Sequence, residues 1–150
     1  MIDRFEYFSF AISEIYKQWH KLTAEEMERY GLRGTHSVYL LTMAKYPEGL
    51  TAAKVCEYCG RDKSDVSRMM SIMEEKGLVT KEGVNRNLYR GSFKLTEKGF
   101  EAAEHVKMRA NRAVEIAGKD LTEEKRAVFY EALESIVTNL RELSKEGIPE

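Results

Sequence analysis

The segment 50–96 constrains the fold more than any other part of this chain, because it reads as two short helices followed by a strand, a basic loop and a returning strand. The first helix is predicted over residues 50–59 and ends at Gly60, a residue that adopts the left-handed C-cap conformation without strain. The second helix is predicted over residues 64–76, and Gly77 closes it. Two helices joined by so short a turn are typical of a helix-turn-helix unit.

Length and composition fit one globular domain. The chain has 150 residues, of which 43% are apolar, and this is ample for a packed core. Its longest apolar stretch, residues 38–44, is too short to span a bilayer, and the N-terminus has no apolar signal segment. The expected location is therefore the cytoplasm. Two cysteines are too few for the disulfide framework of small secreted domains.

The charges are unevenly distributed along the chain, although the net charge is only −1. Residues 1–60 carry a net charge of −1, residues 61–100 carry +3, and residues 101–150 carry −3. The positive excess thus lies on the helix-turn-helix unit and its hairpin. The acidic segments on either side of this basic segment would repel DNA, so DNA would bind only at the basic segment.

Three stripes of apolar residues lie outside this unit and predict long amphipathic helices, because their members recur at spacings of three and four. The stripes are Phe5, Phe8, Ile12, Ile15, Trp19 and Leu22; Ala103, Val106, Ala110, Val114 and Ala117; and Phe129, Leu133, Ile136, Leu140 and Leu143. The helices can pack on one another in a monomer, or helices of two chains can interlock. A homodimer is favoured, because a unit of about 45 residues is too small to cover all three stripes in one chain.

The second helix of the pair has one apolar and one polar face. Val66, Met69, Met70 and Met73 share the apolar face, which is predicted to point into the core. The candidates for DNA contact on the polar face are Lys63, Ser64, Asp65, Ser67, Arg68 and Ser71. Short hydroxyl side chains let a helix enter the major groove closely, and an arginine can reach a guanine edge or a phosphate. The same pattern also describes an ordinary solvated helix face.

The residues after this helix predict a β-hairpin with a basic loop, which we call the wing. Between Gly83 and Gly91 the loop contains no acidic residue. The candidates for DNA contact in this loop are Arg86, Asn87 and Arg90. Such a composition suits contact with phosphates or entry into a minor groove. Thr51 is the predicted N-cap of the first helix, whose amides can also meet a phosphate.

Four motifs in the centre of the chain resemble the MarR family of transcriptional regulators. They are Leu50-Thr51, Val66-Ser67-Arg68, Met73-Glu74-Glu75-Lys76-Gly77-Leu78-Val79 and Leu95-Thr96-Glu97-Lys98-Gly99. The flanking helices agree with the family in pattern and length. The resemblance implies a mainly α fold with a small β-hairpin wing, in which residues 1–150 form a single domain. Residues 35–99 would form the winged helix-turn-helix unit, and residues 1–30 and 100–146 would form dimerisation helices.

For function, the resemblance implies a homodimer whose winged units read a pseudo-palindromic operator in double-stranded DNA, usually to repress transcription. Many family members release DNA when they bind a small anionic or phenolic ligand. A ligand site would lie between the dimerisation helices and the winged unit, with Tyr16, Trp19, His36 and Tyr39 as candidates. Aromatic residues at helical spacing also serve as core packing. No cofactor is implied.

The wing departs from the family pattern at one pair of positions. The family commonly has an Asp-x-Arg pair six to eight residues before the Leu-Thr dipeptide, and Asn87 and Tyr89 stand there in this chain. Arg86 and Arg90 lie one residue to either side of that pair. Which of these arginines contacts DNA is therefore left open.

Cys56 and Cys59 suggest a redox-sensing regulator as an alternative, because a Cys-x-x-Cys pair can form a dithiol site. The structural interpretation is that both are buried thiols in the core of the first helix. A zinc site is not expected, because the chain has no second cysteine pair and its histidines have no local ligand spacing.

The sequence also bears on two further classes of function. An enzyme is not expected, since the sequence contains no nucleophile-base-orienter set and no phosphate-binding glycine loop. A winged helix that binds protein instead of DNA remains as an alternative, because a fold alone does not fix function.

Overall fold

The computed structural model describes residues 3–83 and 91–150. The chain divides into two compact units with bounds Met1–Ala110 and Asn111–Glu150, and the described residues are distributed between them. The elements in chain order are α1 Arg4–Glu28, a 3₁₀ turn Gly34–His36, α2 Ser37–Ala44, β1 Leu50–Thr51, α3 Ala52–Cys59, α4 Lys63–Glu75, β2 Val79–Glu82, β3 Ser92–Leu95, α5 Glu97–Ala117 and α6 Glu123–Glu146. The mainly helical fold with a β-hairpin that the sequence predicts is confirmed.

The core of the first unit is built from the inner faces of α2, α3, α4 and the start of α5, with the end of α1. Its largest fully buried side chains are Tyr39, Met27, Leu40, Met43, Met69, Met70, Met73, Leu78, Val55, Val66 and Val79. The four apolar residues predicted to form the inner face of α4 all belong to this core. Unbranched methionine side chains fill irregular gaps, and five of these buried side chains are methionines.

The first predicted helix begins later than the sequence pattern suggested. Leu50 and Thr51 form the short strand β1 instead of a helical turn, and they pair antiparallel with Phe93 and Ser92 of β3. Thr51 has the extended backbone of an N-cap residue, with φ −67° and ψ 158°, and the pairing with β3 makes Leu50 and Thr51 a strand. The predicted hairpin is thereby extended to a three-stranded antiparallel sheet with strand order β1-β3-β2.

The turn between α3 and α4 follows the prediction closely. Gly60 has a φ of +62°, so it occupies the left-handed conformation expected of a C-cap, and its amide donates to the carbonyl of Cys56. The second helix starts at Lys63, one residue before the predicted Ser64, because Asp62 is its N-cap. The turn therefore fixes where α4 begins and which face of it is buried.

Helix α1 in the first unit and helix α6 in the second unit each expose apolar side chains. The predicted stripe on α1 is helical, yet all six of its members are between 39% and 72% exposed. The stripe on α6 is likewise exposed, and this helix has no buried residue. In α5 the stripe is buried at Ala103 and Val106 but exposed at Val114. No helix among the described residues is long and apolar enough to cross a membrane.

Candidate nucleic-acid interface

Helix α4 presents a polar surface to solvent because its apolar face is buried in the core. Val66, Met69, Met70 and Met73 are buried, so the residues between them must point outward. The exposed side chains of this surface are Lys63, Ser64, Ser67, Arg68 and Ser71. Three short hydroxyl residues leave the helix backbone accessible to a closely approaching groove. The hydroxyl of Ser71 donates to the carbonyl oxygen of Ser67 at 3.0 Å.

The N-terminus of α4 is capped by a side chain from the preceding turn. The Asp62 carboxylate accepts a hydrogen bond from the Asp65 amide at 2.8 Å. An acid at this position also interacts favourably with the helix dipole. Since Asp62 supplies the cap, the carboxylate of Asp65 is available for other partners.

Asp65 uses its carboxylate to link the core to the outer surface. One of its oxygens accepts a hydrogen bond from the hydroxyl of Tyr39, on α2. The other accepts from Nη2 of Arg68 at 2.8 Å. Tyr39 has no exposed surface, whereas the side chain of Arg68 is 69% exposed. The predicted contact residue Asp65 is therefore engaged within the protein, while Arg68 reaches outward from it.

The hydrogen bond between Tyr39 and Asp65 shifts the pKa values of both residues. The pKa of Asp65 lies below its ordinary value, chiefly because the Tyr39 hydroxyl and then the Arg68 guanidinium donate to the charged carboxylate. The pKa of Tyr39 is raised, first by burial and then by its hydrogen bond to Asp65. Asp65 is therefore charged and Tyr39 neutral at pH 7, so the hydroxyl acts as donor.

The remaining predicted contact residues lie in different surroundings. Thr51 is half-buried in β1, and its hydroxyl accepts from the Lys54 amide at 3.3 Å, so capping is its role within the fold. The strands of the wing pair in register from Val79 with Leu95 to Glu82 with Ser92. The predicted residues Arg86, Asn87 and Arg90 lie outside the described residues.

The four residues proposed for a ligand site differ in accessibility. Tyr16 and Trp19 are exposed on α1, and Tyr16 stacks on His20 with ring centroids 5.4 Å apart. His36 is half-buried, and burial lowers its pKa. Its ring centroid lies 6.4 Å from that of Tyr39, which is in the core. The structure thus brings His36 and Tyr39 together, and it gives Tyr39 the contact with Asp65.

The two cysteines of α3 are free thiols. Cys59 is buried and Cys56 is partly buried. Burial raises the pKa of Cys59, and its thiol lies 4.0 Å from the carbonyl oxygen of Val38. A raised pKa disfavours the thiolate, which is the reactive form. Among residues 3–83 and 91–150, no group of three histidine, cysteine or acidic residues is arranged to hold a metal ion.

Sequence reasoning missed two side-chain clusters. The link between Tyr39 and Asp65 joins residues 26 apart on different helices, so no spacing rule could find it. The second cluster is centred on Glu26 of α1, which accepts from Nε of Arg109 at 2.9 Å and lies 3.1 Å from Nε2 of His105, both on α5. No spacing rule could find this cluster either, because Glu26 lies 79 residues from His105 and 83 residues from Arg109 in sequence.

Comparison with known proteins gives the same family as the motifs. The MarR family model matches residues 30–86. No curated protein resembles the chain closely enough in sequence to give a match. Among solved structures, a MarR transcriptional regulator from Methanosarcina mazei Go1 is 22% identical, with a TM-score of 0.77 over 95% of this chain and 94% of that one.

Two further solved structures carry bound partners. The MepR–DNA complex of Staphylococcus aureus is 16% identical, with a TM-score of 0.76 over 88% of this chain and 97% of that one. CouR from Rhodococcus jostii RHA1, bound to p-coumaroyl-CoA, is 20% identical, with a TM-score of 0.69 over 86% and 90%. At these identities the likeness shows the fold. The MarR family model thus matches residues 30–86 of this chain, and the described residues have the fold of solved MarR-family regulators.

Proposed function

We propose that this chain is a homodimeric, sequence-specific DNA-binding transcriptional regulator that acts as a repressor. Helix α4 would enter the major groove, and the wing would contact the backbone or the minor groove. The observation that carries the proposal is the polar surface of α4, where Ser64, Ser67 and Arg68 are exposed directly opposite a fully buried apolar face. Residues 35–99 would serve as the DNA-binding unit of this regulator.

The comparisons support DNA binding as the function of this surface. MepR has been solved in complex with DNA, and it shares the fold of this chain. The matched family segment, residues 30–86, includes all of α3 and α4. A family of transcriptional regulators also argues against catalysis as the role of this chain.

The exposed apolar stripes support the homodimer. Phe5, Ile15 and Trp19 on α1 and Phe129 and Leu140 on α6 are exposed to solvent in a single chain. Exposed apolar stripes of this kind mark association sites in soluble proteins. A second copy of the chain would cover these stripes, and a two-fold axis would place two α4 helices about one helical turn of DNA apart.

We also propose that a small-molecule effector releases the DNA. CouR, which shares the fold, has been solved with p-coumaroyl-CoA. Tyr16, Trp19 and His36 are the accessible candidates for ligand contact in this chain, and the fourth candidate, Tyr39, is buried beside His36. A screen of anionic and phenolic compounds for loss of DNA binding would test this part.

Gel-shift titration with DNA from upstream of the chain's own gene tests DNA binding, with a scrambled duplex of equal length as the competitor. We expect tighter binding to the upstream duplex and a steep loss of affinity when the salt concentration is raised about fourfold. Sedimentation should give twice the 17.3 kDa chain mass. A stable single-chain species, or equal weak binding to both duplexes, contradicts the proposal and favours a protein-interaction module.

Arg68→Ala has a matched control in Arg112→Ala. Both arginines are exposed, at 69% and 66%, and each pairs with an acid three residues away on its own helix. The two changes therefore remove the same charge from equally exposed helix positions. Arg68→Ala should weaken operator binding about tenfold, and Arg112→Ala should leave it unchanged. Arg86→Ala or Arg90→Ala should weaken binding to all sequences and lower the salt slope by about one unit.

A further inference from the structure

An acidic residue stands on the surface of α4 that is proposed to face DNA. The side chain of Asp65 is 27% exposed and adjoins Arg68 on this surface. A carboxylate near the phosphates of DNA opposes binding, because like charges repel. Helix capping does not account for it, since Asp62 caps α4. As an acid in the first turn of α4 it suits the helix dipole, and its two hydrogen bonds point to a further role.

The two oxygens of Asp65 have two different donors. Oδ2 accepts from the hydroxyl of the buried Tyr39, and Oδ1 accepts from Nη2 of Arg68 at 2.8 Å. Tyr39 is immobilised in the core of the first unit, so its hydroxyl holds the Asp65 carboxylate in one position on the surface of α4. The carboxylate in turn holds one end of a guanidinium that is otherwise exposed.

We propose that Asp65 is a positioning residue that orients Arg68 for reading a base edge, with Tyr39 as its fixed support. This inference rests on the proposed DNA-binding function. A guanidinium has five N–H donors in a rigid plane, so one hydrogen bond to Asp65 leaves enough donors for a bidentate contact with guanine. Because Asp65 already orients the guanidinium plane of Arg68 in the free protein, less side-chain entropy is lost when Arg68 contacts guanine.

Asp65 has two opposing effects on DNA binding. Its charge repels any DNA, whereas its support of Arg68 favours binding to the operator. On unrelated DNA only the repulsion matters, so Asp65 weakens non-specific binding. On the operator the orientation of Arg68 outweighs the repulsion. Asp65 therefore raises the ratio of operator affinity to non-specific affinity, which is the quantity that defines specificity.

The test measures that ratio with a duplex selected by the wild-type protein from a pool of random sequences. Affinities for this duplex and for an unrelated duplex of equal length are compared for Asp65→Asn, Tyr39→Phe, Arg68→Ala and the double variant Asp65→Asn with Arg68→Ala. Melting temperatures are recorded in parallel. Asp65→Asn preserves size and Tyr39→Phe preserves core packing, so both variants are expected to fold.

We expect Asp65→Asn to lower the affinity ratio about tenfold while binding to the unrelated duplex stays equal or becomes tighter. Tyr39→Phe should shift the ratio in the same direction. The double variant should discriminate no worse than Arg68→Ala alone, because the two residues act through one contact.

Three results overturn the inference. An unchanged ratio in Asp65→Asn shows that Arg68 needs no support. An equal loss of affinity for both duplexes, together with a lower melting temperature, shows a purely structural role for Asp65. Additive losses in the double variant show that Asp65 acts independently of Arg68. If the wild-type protein selects no sequence at all, the proposed function fails, and this inference fails with it.

Discussion

The hydroxyl of Thr96 donates a hydrogen bond to the carbonyl oxygen of Gly77 at 2.7 Å, and so connects the start of α5 to the turn that follows α4. The same hydroxyl accepts from the Gly99 amide at 3.0 Å. The Thr96 amide donates to the carbonyl of Leu78 at 3.0 Å. The Leu95–Gly99 motif is thus explained by its geometry: Thr96 caps α5 and holds the exit of the wing against the end of α4.

Replacing Thr96 with valine should lower the free energy of unfolding by about 1–3 kcal/mol, because the carbonyl of Gly77 and the amide of Gly99 both lose a hydrogen-bond partner. Thr96→Ser keeps the hydroxyl and serves as the control, with an expected loss well under half of that. Urea denaturation of both variants gives the comparison. Equal stabilities for valine and serine would show that the hydroxyl contributes nothing.

Gly99 permits a close approach that any side chain would block. A Cβ at this position would lie 2.1 Å from the carbonyl oxygen of Leu78 and 3.1 Å from a methyl carbon of Leu95. Gly99→Ala should therefore destabilise the protein by about 1–3 kcal/mol through overpacking. In Gly83→Ala the nearest described atom to the new Cβ is the Cα of Gly91 at 3.8 Å, an ordinary contact, so little loss is expected. Thermal melts that shift equally for both variants would contradict the prediction.

Asp62 caps α4 through its carboxylate, and its role can be separated from its charge. Asp62→Ala should lower the free energy of unfolding by about 1 kcal/mol, because the Asp65 amide loses its acceptor. Asp62→Asn removes the same charge but caps helices about as well, so its stability should stay near that of the wild type. If the asparagine variant is as unstable as the alanine variant, the charge rather than the cap stabilises α4.

Glu26 should make the stability of the first unit depend on acid pH. Its pKa is lowered below the ordinary value of 4.5, chiefly by the hydrogen bond from Arg109, with His105 and Arg29 contributing. A depressed folded-state pKa adds stability that is complete above the unfolded value and is lost as the pH falls through the folded one. Glu26→Gln should thus destabilise by about 1 kcal/mol at pH 7.

The difference between wild type and Glu26→Gln should shrink as the pH is lowered below 4.5, where the wild-type carboxylate becomes protonated. Melting temperatures across this range test the dependence. Glu25→Gln removes a charge at an exposed position of the same helix and is the control. A constant difference between wild type and Glu26→Gln at all pH values would show that the loss does not come from the charged form.

The thiols of α3 should differ in reactivity, which tests the redox alternative. Cys59 is buried and its pKa is raised, so a thiol reagent should label it at least about tenfold more slowly than Cys56 in the native protein. Unfolding should equalise the rates. Peroxide should leave DNA affinity unchanged. Rapid labelling of Cys59, or peroxide-dependent release of DNA, would instead favour a redox sensor.

Much of the winged unit could be predicted because its signals are local. The glycine that ends α3, the threonine cap at Thr51 and the inward face of α4 depend on residues a few positions apart, so spacing alone identifies them. The boundary at Leu50 was wrong for the opposite reason. Its strand exists only because Phe93, more than forty residues away, pairs with it.

The residue types thus determined by themselves the order of the helices and the hairpin, the turn between α3 and α4, and the polar surface that α4 shows to solvent. Only the tertiary structure decided what Asp65 does, because its two partners are Arg68, one turn along the same helix, and Tyr39, which folding brings from α2. Helical spacing permits an ion pair between Asp65 and Arg68 but does not immobilise it. A buried hydroxyl supplies that rigidity, and burial is a property of the packed core that no local pattern records.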